Sequence, residues 1–99
     1  MNRTVSFADQ AISDLENRFD YLLPLAGEKI AAAFIDGIRT YCLGFDIFPE
    51  RGLQRDELAQ GLRLVGYKHD ASIAFIVTES EVTILRVFMR GQNIENEFS

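Results

Sequence analysis

Apolar residues recur at three- and four-residue steps from Ala8 to Leu43 and at every second position from Leu62 onward, so the chain divides into a helical part and a stranded part. Ala11, Leu15, Phe19 and Leu22, with Ala8 and Ile12, form one stripe of a helix over Ala8–Leu23, opposite Asp14, Asn17 and Arg18. Ser6 followed by Asp9 gives a capping pattern at its start: the hydroxyl can accept from an orphan amide and the carboxylate suits the positive end of the dipole. Pro24 and Gly27 interrupt the pattern. A second helix follows over Glu28–Leu43, with Ile30 or Ala31, Phe34, Ile35, Ile38, Tyr41 and Cys42 on its inner side, and Gly44 is its stop signal. The short connection predicts an antiparallel helical hairpin. Gly37, costly in a helix interior, points to close approach by the other helix.

Three strands are predicted at Leu62–Tyr67, Ser72–Thr78 and Val82–Met89, joined by short turns that make them antiparallel neighbours. A further short strand pattern lies at Arg3–Phe7, and Asp46–Gly61 reads as a long connection. The fold class is α+β: an N-terminal strand, a two-helix hairpin, then a three-stranded antiparallel sheet. The whole, residues 1–99, is one domain, with 91–99 a mobile or partner-ordered tail carrying Ile94 and Phe98. The last two strands are apolar on both faces. Strict alternation puts Ile73, Phe75 and Val77 opposite Ala74 and Ile76, and Leu85, Val87 and Met89 opposite Val82, Ile84 and Phe88. One helical hairpin covers one face, so the other needs the long connection, the tail or a second chain.

Composition narrows the function. Ten basic against fifteen acidic side chains give a net charge of −5, which opposes general binding to nucleic acid. A local basic patch remains open, because Arg51–Arg90 holds six basic residues against five acidic ones. The single cysteine, Cys42, fits a reducing, cytoplasmic setting and a buried core position. The first residues lack the apolar stretch of a signal peptide, and the longest apolar run, Ile30–Ile35, is far too short to cross a bilayer. Metal and cofactor sites are not expected: Cys42 has no cysteine or histidine at ligand spacing, and phosphate-cradling glycine motifs are missing. The lone His69 falls in a turn beside Lys68 and Asp70, where it reads as a solvated residue.

Three segments carry a family resemblance: S-F-A-D-Q-A-I-S-D-L at the first helix, F-P-E-R-G-L-Q-R-D-E-L-A-Q-G-L-R through Arg63, and V-T-I-L-R-V-F-M-R-G at the last strand. In this order and spacing, from Val5 to Gly91, the sequence resembles the ParE/RelE superfamily of bacterial toxins, in its ParE-like plasmid-stabilisation branch. The resemblance implies the toxin of a type II toxin–antitoxin module, held inactive by a cognate, ParD-like antitoxin in a hetero-oligomer. The ParE branch is associated with inhibition of DNA gyrase by protein–protein binding; the alternative, RelE-like, is ribosome-dependent endonucleolytic cleavage of messenger RNA.

A metal-independent ribonuclease needs a proton acceptor, cations for the phosphate and a proton donor. Arg63 and Arg86 fall where RelE-like nucleases place phosphate-binding arginines, but Met89 stands where those enzymes carry tyrosine or histidine and exchanges no proton. The expectation is therefore a toxin without catalytic residues. Its contacts to partner or target are assigned to Arg51, Arg55, Arg63, Arg86, Met89 and Arg90; the guanidinium groups of the five arginines suit carboxylates on another protein. Glu50, Asp56 and Glu57 could instead pair Arg51 and Arg55 within the loop, and Arg86, among apolar neighbours, requires a carboxylate or carbonyl partner.

Overall fold

In the computed structural model, which describes residues 2–98, the two kinds of periodicity become two layers. The order is β1 (Thr4–Phe7), α1 (Asp9–Ala26), α2 (Glu28–Leu43), a 3₁₀ turn (Gly44–Asp46), β2 (Leu53–Gln54), β3 (Leu62–Tyr67), β4 (Ala71–Val77), β5 (Glu81–Met89) and a short α3 (Ile94–Glu97). The α+β class and the hairpin are as expected, but the sheet has five strands in the order β1-β5-β4-β3-β2 rather than three. β1 joins as a parallel neighbour of β5, and β2 forms the opposite edge inside the long connection, antiparallel to β3. Two residues carry no readable period, and pairing between the two ends of a chain is not encoded locally; both additions were therefore hidden in the sequence.

Both ends of α1 differ from expectation, whereas α2 spans Glu28–Leu43 as expected. Ser6 lies in β1, paired with Thr83, and does not cap α1. The helix begins instead behind Ala8, without a side-chain cap. The Ala8 N–H is already satisfied by the Ile84 carbonyl at 2.8 Å. Pro24 does not end α1, which continues to Ala26. A proline near a helix end removes one N–H and leaves the chain free to finish its last turn, and the stop falls at Gly27, whose φ of 90° is costly for any residue with a Cβ.

The helices pack Ala11, Leu15, Ile35, Ile38 and Cys42 onto Ile73, Phe75, Val82, Ile84 and Val87 of the sheet, with Phe45 of the 3₁₀ turn completing the core. Phe45 and Phe75 rings meet at 4.8 Å between centroids. Gly37 does mark a close approach, but to a strand: a Cβ there would sit 2.5 Å from the Tyr67 hydroxyl on β3.

The expected alternation holds along β4 and fails along β5. Ala74 pairs with Arg86 while Phe75 pairs with Ile84, so Leu85 is an extra residue in a bulge. The bulge reverses the facing of everything beyond it. Val82, Ile84, Val87 and Met89 share the helical side, and Leu85 and Phe88 lie on the other.

That second face is closed by the protein's own segments. Leu62, Ala74 and Phe88 are fully buried beneath Leu58 and Ala59 of the long connection and Ile94 and Phe98 of the tail. The Phe98 ring stands edge-on to Phe88 at 5.9 Å. The surplus of apolar strand surface therefore requires no second chain at this face. Large exposed apolar groups occur elsewhere, at Tyr21, Leu23, Leu25 and Ile30 around the hairpin tip and at Leu43, Ile47, Phe48 and Leu53. Ser99, the last residue of the predicted tail, lies outside the described residues.

Candidate functional site

The six residues assigned to contacts fall into separate groups. Arg51, in the connection before β2, is a structural tie: its Nε donates to the Phe48 carbonyl at 2.7 Å and its Nη2 to the Gly44 carbonyl at 3.1 Å. Its guanidinium also lies 4.9 Å from the Phe45 ring centre. Arg63 holds the same segment in place by donating from Nε to the Arg51 carbonyl at 3.1 Å. Gly52, between Arg51 and β2, has a φ of 71°, and a Cβ there would overlap the Leu64 carbonyl oxygen, so this turn admits glycine alone.

Arg55 pairs with Glu57 at 2.6 Å and with Glu95 of α3 at 3.8 Å. The hydrogen bond from Arg55 holds the Glu57 carboxyl below its usual range. Glu50 does not pair with Arg51, which has carbonyl partners instead.

Arg86 sits at the centre of the most buried charged cluster. The bulge sets its side chain at the open edge of β5, past the end of β1, where α1 passes alongside. Asp14 of α1 receives both Nε at 2.9 Å and Nη2 at 3.0 Å, a bidentate pair, and Glu97 of α3 receives Nη1 at 2.8 Å. Asp14 also accepts from the Val87 backbone N–H at 2.9 Å. The Asp14 hydrogen bonds hold the guanidinium still further into its charged form against the opposing effect of burial, with Glu97 adding to them. One arginine thus ties the helical layer, the sheet edge and the tail together. The need of Arg86 for a partner was legible in the sequence; Asp14 and Glu97 were not identified, because Asp14 was placed on the solvent side of its helix. A carboxylate four residues from Arg18 and next to the buried Leu15 was the available signal.

The registers decide whether Arg63 and Arg86 can act on one group. Arg63 pairs with Phe75 and Arg86 with Ala74, and directly paired residues share a face of the sheet. Phe75 faces the helices and Ala74 faces the tail, so the two arginines leave the sheet on opposite faces. They do not converge on a common phosphate. Met89 packs against the helical core, its N–H bonded to the Gln92 side chain at 2.6 Å. His69 is exposed in the β3–β4 turn, and Cys42 is buried in the core, its thiol pushed up to about 12 by loss of hydration.

Arg90, at the end of β5, differs from the other assigned arginines: among the described residues its guanidinium has neither a carboxylate nor a carbonyl partner. It lies beside Arg18 of α1, which sequence reasoning did not single out, along two adjoining clefts at the hairpin end of the molecule. Among the described residues no cluster of three or more histidine, cysteine or carboxylate side chains could hold a metal ion. Nor, among the described residues, is any helix long and apolar enough to cross a membrane.

Comparison with solved structures finds the same fold at low sequence identity. The toxin–antitoxin system ParDE from the chromosome of P. aeruginosa gives a TM-score of 0.75 at 22% identity, covering 88% of this chain and 95% of that one. The RelBE2 toxin–antitoxin complex of Mycobacterium tuberculosis gives 0.59 at 21% identity, over 93% and 95%. A conserved hypothetical protein from Helicobacter pylori, solved in solution, gives 0.54 at 16%, over 93% and 98%. No curated protein matches by sequence. A sequence model describing the ParE toxin of the type II toxin–antitoxin system parDE matches residues 5–94, nearly the whole chain, from within β1 to the start of α3. The chain belongs to the ParE toxin family.

Proposed function

We propose that this protein is the toxin of a type II toxin–antitoxin pair, that it acts in the cytoplasm by binding DNA gyrase rather than by chemistry of its own, and that a cognate antitoxin neutralises it in a hetero-oligomer. Membership in the ParE family supports the toxin role, and the toxin–antitoxin complexes that share the fold support the antitoxin. Gyrase as target follows the ParE branch of the resemblance.

The observation that carries inhibition by binding is the placement of the arginines. A ribonuclease built on Arg63 and Arg86 needs both at one scissile phosphate, yet their strand registers direct them to opposite faces. Arg86 is in addition engaged by Asp14 and Glu97, and Met89 offers no proton at the last strand. A net charge of −5 opposes entry into the phosphate-dense decoding site of a ribosome.

Two assays on the purified chain test the proposal. Gyrase supercoiling is expected to be inhibited, and messenger RNA on translating ribosomes is expected to stay intact. The reverse pattern assigns the RelE-like reaction. Expression of the chain alone is expected to arrest growth, and expression with its antitoxin to restore growth and yield a stable complex.

A further inference from the structure

We infer that the groove between α1 and α2 is the surface that docks onto the target enzyme, and that it receives a basic, partly apolar segment by which that enzyme holds DNA. The inference deepens the proposed function and rests on its premise that the chain inhibits gyrase by occupancy.

The groove has a volume of about 640 Å³, and its lining comes from the two helices alone. Leu15 of α1 and Ile35 of α2 are buried and form its floor. Ile12, Glu16, Phe19 and Leu23 recur at three- and four-residue steps, so they share the side of α1 opposite Arg18 and Tyr21. Two of them are large apolar groups left in water, Ile12 at 43% and Leu23 at 40% exposed. An apolar furrow open along two helices gains from a side chain laid into it.

Its rim is negative. Glu16 and Asp20 line the groove four residues apart on α1, and neither forms an ion pair among the described residues. Like charges at this spacing on a helix repel, and a cation set between them relieves the repulsion. Arg39 lines the groove from α2, but Asp36, one turn earlier, stands 3.9 Å from it and offsets its charge. Three carboxylates therefore face one guanidinium. Asn17, also in the lining, can donate or accept and fits either sign.

Charge selects the occupant. A nucleic acid would bring phosphates against carboxylates. A second copy docked through the groove about a two-fold axis would add three more carboxylates and only one more guanidinium. The target of the proposed function has the complementary chemistry: an enzyme that holds DNA does so with lysine and arginine, and a carboxylate rim offers that surface the sign of charge it is built to bind. The net charge of −5 steers the chain toward the same surface. The apolar floor adds burial that a phosphate backbone does not provide, so the groove can hold the segment against competing DNA.

The test measures the affinity of the purified chain for gyrase holoenzyme, and the concentration that half-inhibits supercoiling, in the wild type and in Glu16→Lys/Asp20→Lys. Glu16→Gln/Asp20→Asn is a second, milder groove variant. Glu50→Lys/Glu79→Lys, at exposed positions outside the groove, makes the same change in net charge as the reversed pair and serves as control. Melting curves verify that all three fold. The inference predicts affinity weaker by about 10-fold or more in the reversed pair, by several-fold in the neutral pair and by no more than about twofold in the control. Wild-type affinity should also fall with salt and with added duplex DNA. Unchanged affinity in both groove variants, or equal losses in the reversed pair and the control, overturns the inference and leaves inhibition by binding standing. No binding of gyrase by the wild type overturns both. Groove variants that still inhibit gyrase but no longer bind the cognate antitoxin assign the groove to the antitoxin and overturn the inference. A wild-type dimer in sedimentation that the groove variants dissolve, with gyrase affinity intact, assigns it to a second copy, with the same consequence.

Discussion

The two faces of the sheet are built differently. On the helical side, residues from α1, α2 and the 3₁₀ turn interlock with four strands, and most of the large side chains, Phe45, Phe75, Ile38, Ile73 and Ile84 among them, are fully buried. On the other side, among the described residues, only Leu62, Ala74 and Phe88 are fully buried, beneath half-exposed cover from the connection and a four-residue helix. The first face holds the fold together. The second is a thin seam, fastened at its margins by charge: Arg55 to Glu95, and Arg86 to Glu97. An apolar strand face thus needs a cover, but the cover can be slight, and abundance of apolar strand residues alone does not call for a partner.

Substitutions can sharpen this contrast. The largest effect is expected from Phe75→Ala on the helical side, a loss of about 3–5 kcal/mol in denaturant unfolding, because the ring is fully buried against Phe45. A loss below about 1 kcal/mol would show that this face is not the main core. Asp14→Ala should follow, at about 2–3 kcal/mol, since it removes the bidentate partner of the partly buried Arg86 guanidinium, leaving Glu97 alone to pair it, and the acceptor of the Val87 N–H. Phe98→Ala, on the seam, should cost only about 1–2 kcal/mol, with hydrogen exchange accelerating in the tail and at Phe88 but not in α2. Equal losses for Phe75→Ala and Phe98→Ala would erase the distinction between the two faces.

The smallest effect at neutral pH belongs to Cys42. Burial raises its thiol from 9.0 to about 12, so between those values the unfolded chain loses a proton that the folded chain keeps. Stability from this group is complete below pH 9 and declines as pH rises toward 12. Cys42→Ala should flatten that alkaline decline and leave the neutral pH dependence unchanged; an identical alkaline slope in urea titrations would contradict the assignment. Cys42 in the folded wild type should also resist thiol reagents.

Both long helices and the three main strands were legible because each has a sustained period: Ala11 to Leu22, Ala31 to Cys42, Ile73 to Val77. The failures have physical causes. β2 is too short to have a period, and the parallel pairing of Thr4–Phe7 with Glu81–Ile84 joins distant segments. The bulge at Leu85 broke an alternation that reads unbroken in the sequence, and with it the facing of Val87, Phe88 and Met89. The same bulge carries Arg86 to Asp14. Of the assigned contact residues, Arg51, Arg55, Arg63 and Arg86 were found through their charge, but each has an internal partner that one sequence cannot reveal. Arg18 was passed over because polar residues opposite an apolar stripe read as solvated, whereas this helix has a second neighbour at the end of β5.

The central claim, inhibition by occupancy rather than by turnover, is tested most directly by titrating the protein against a fixed amount of gyrase and following supercoiling of relaxed plasmid. Inhibition that rises in proportion to added protein and saturates near the molar amount of gyrase is the predicted result. Undiminished supercoiling at several-fold molar excess, together with ribosome-bound messenger RNA cut by a small fraction of that amount, would contradict it.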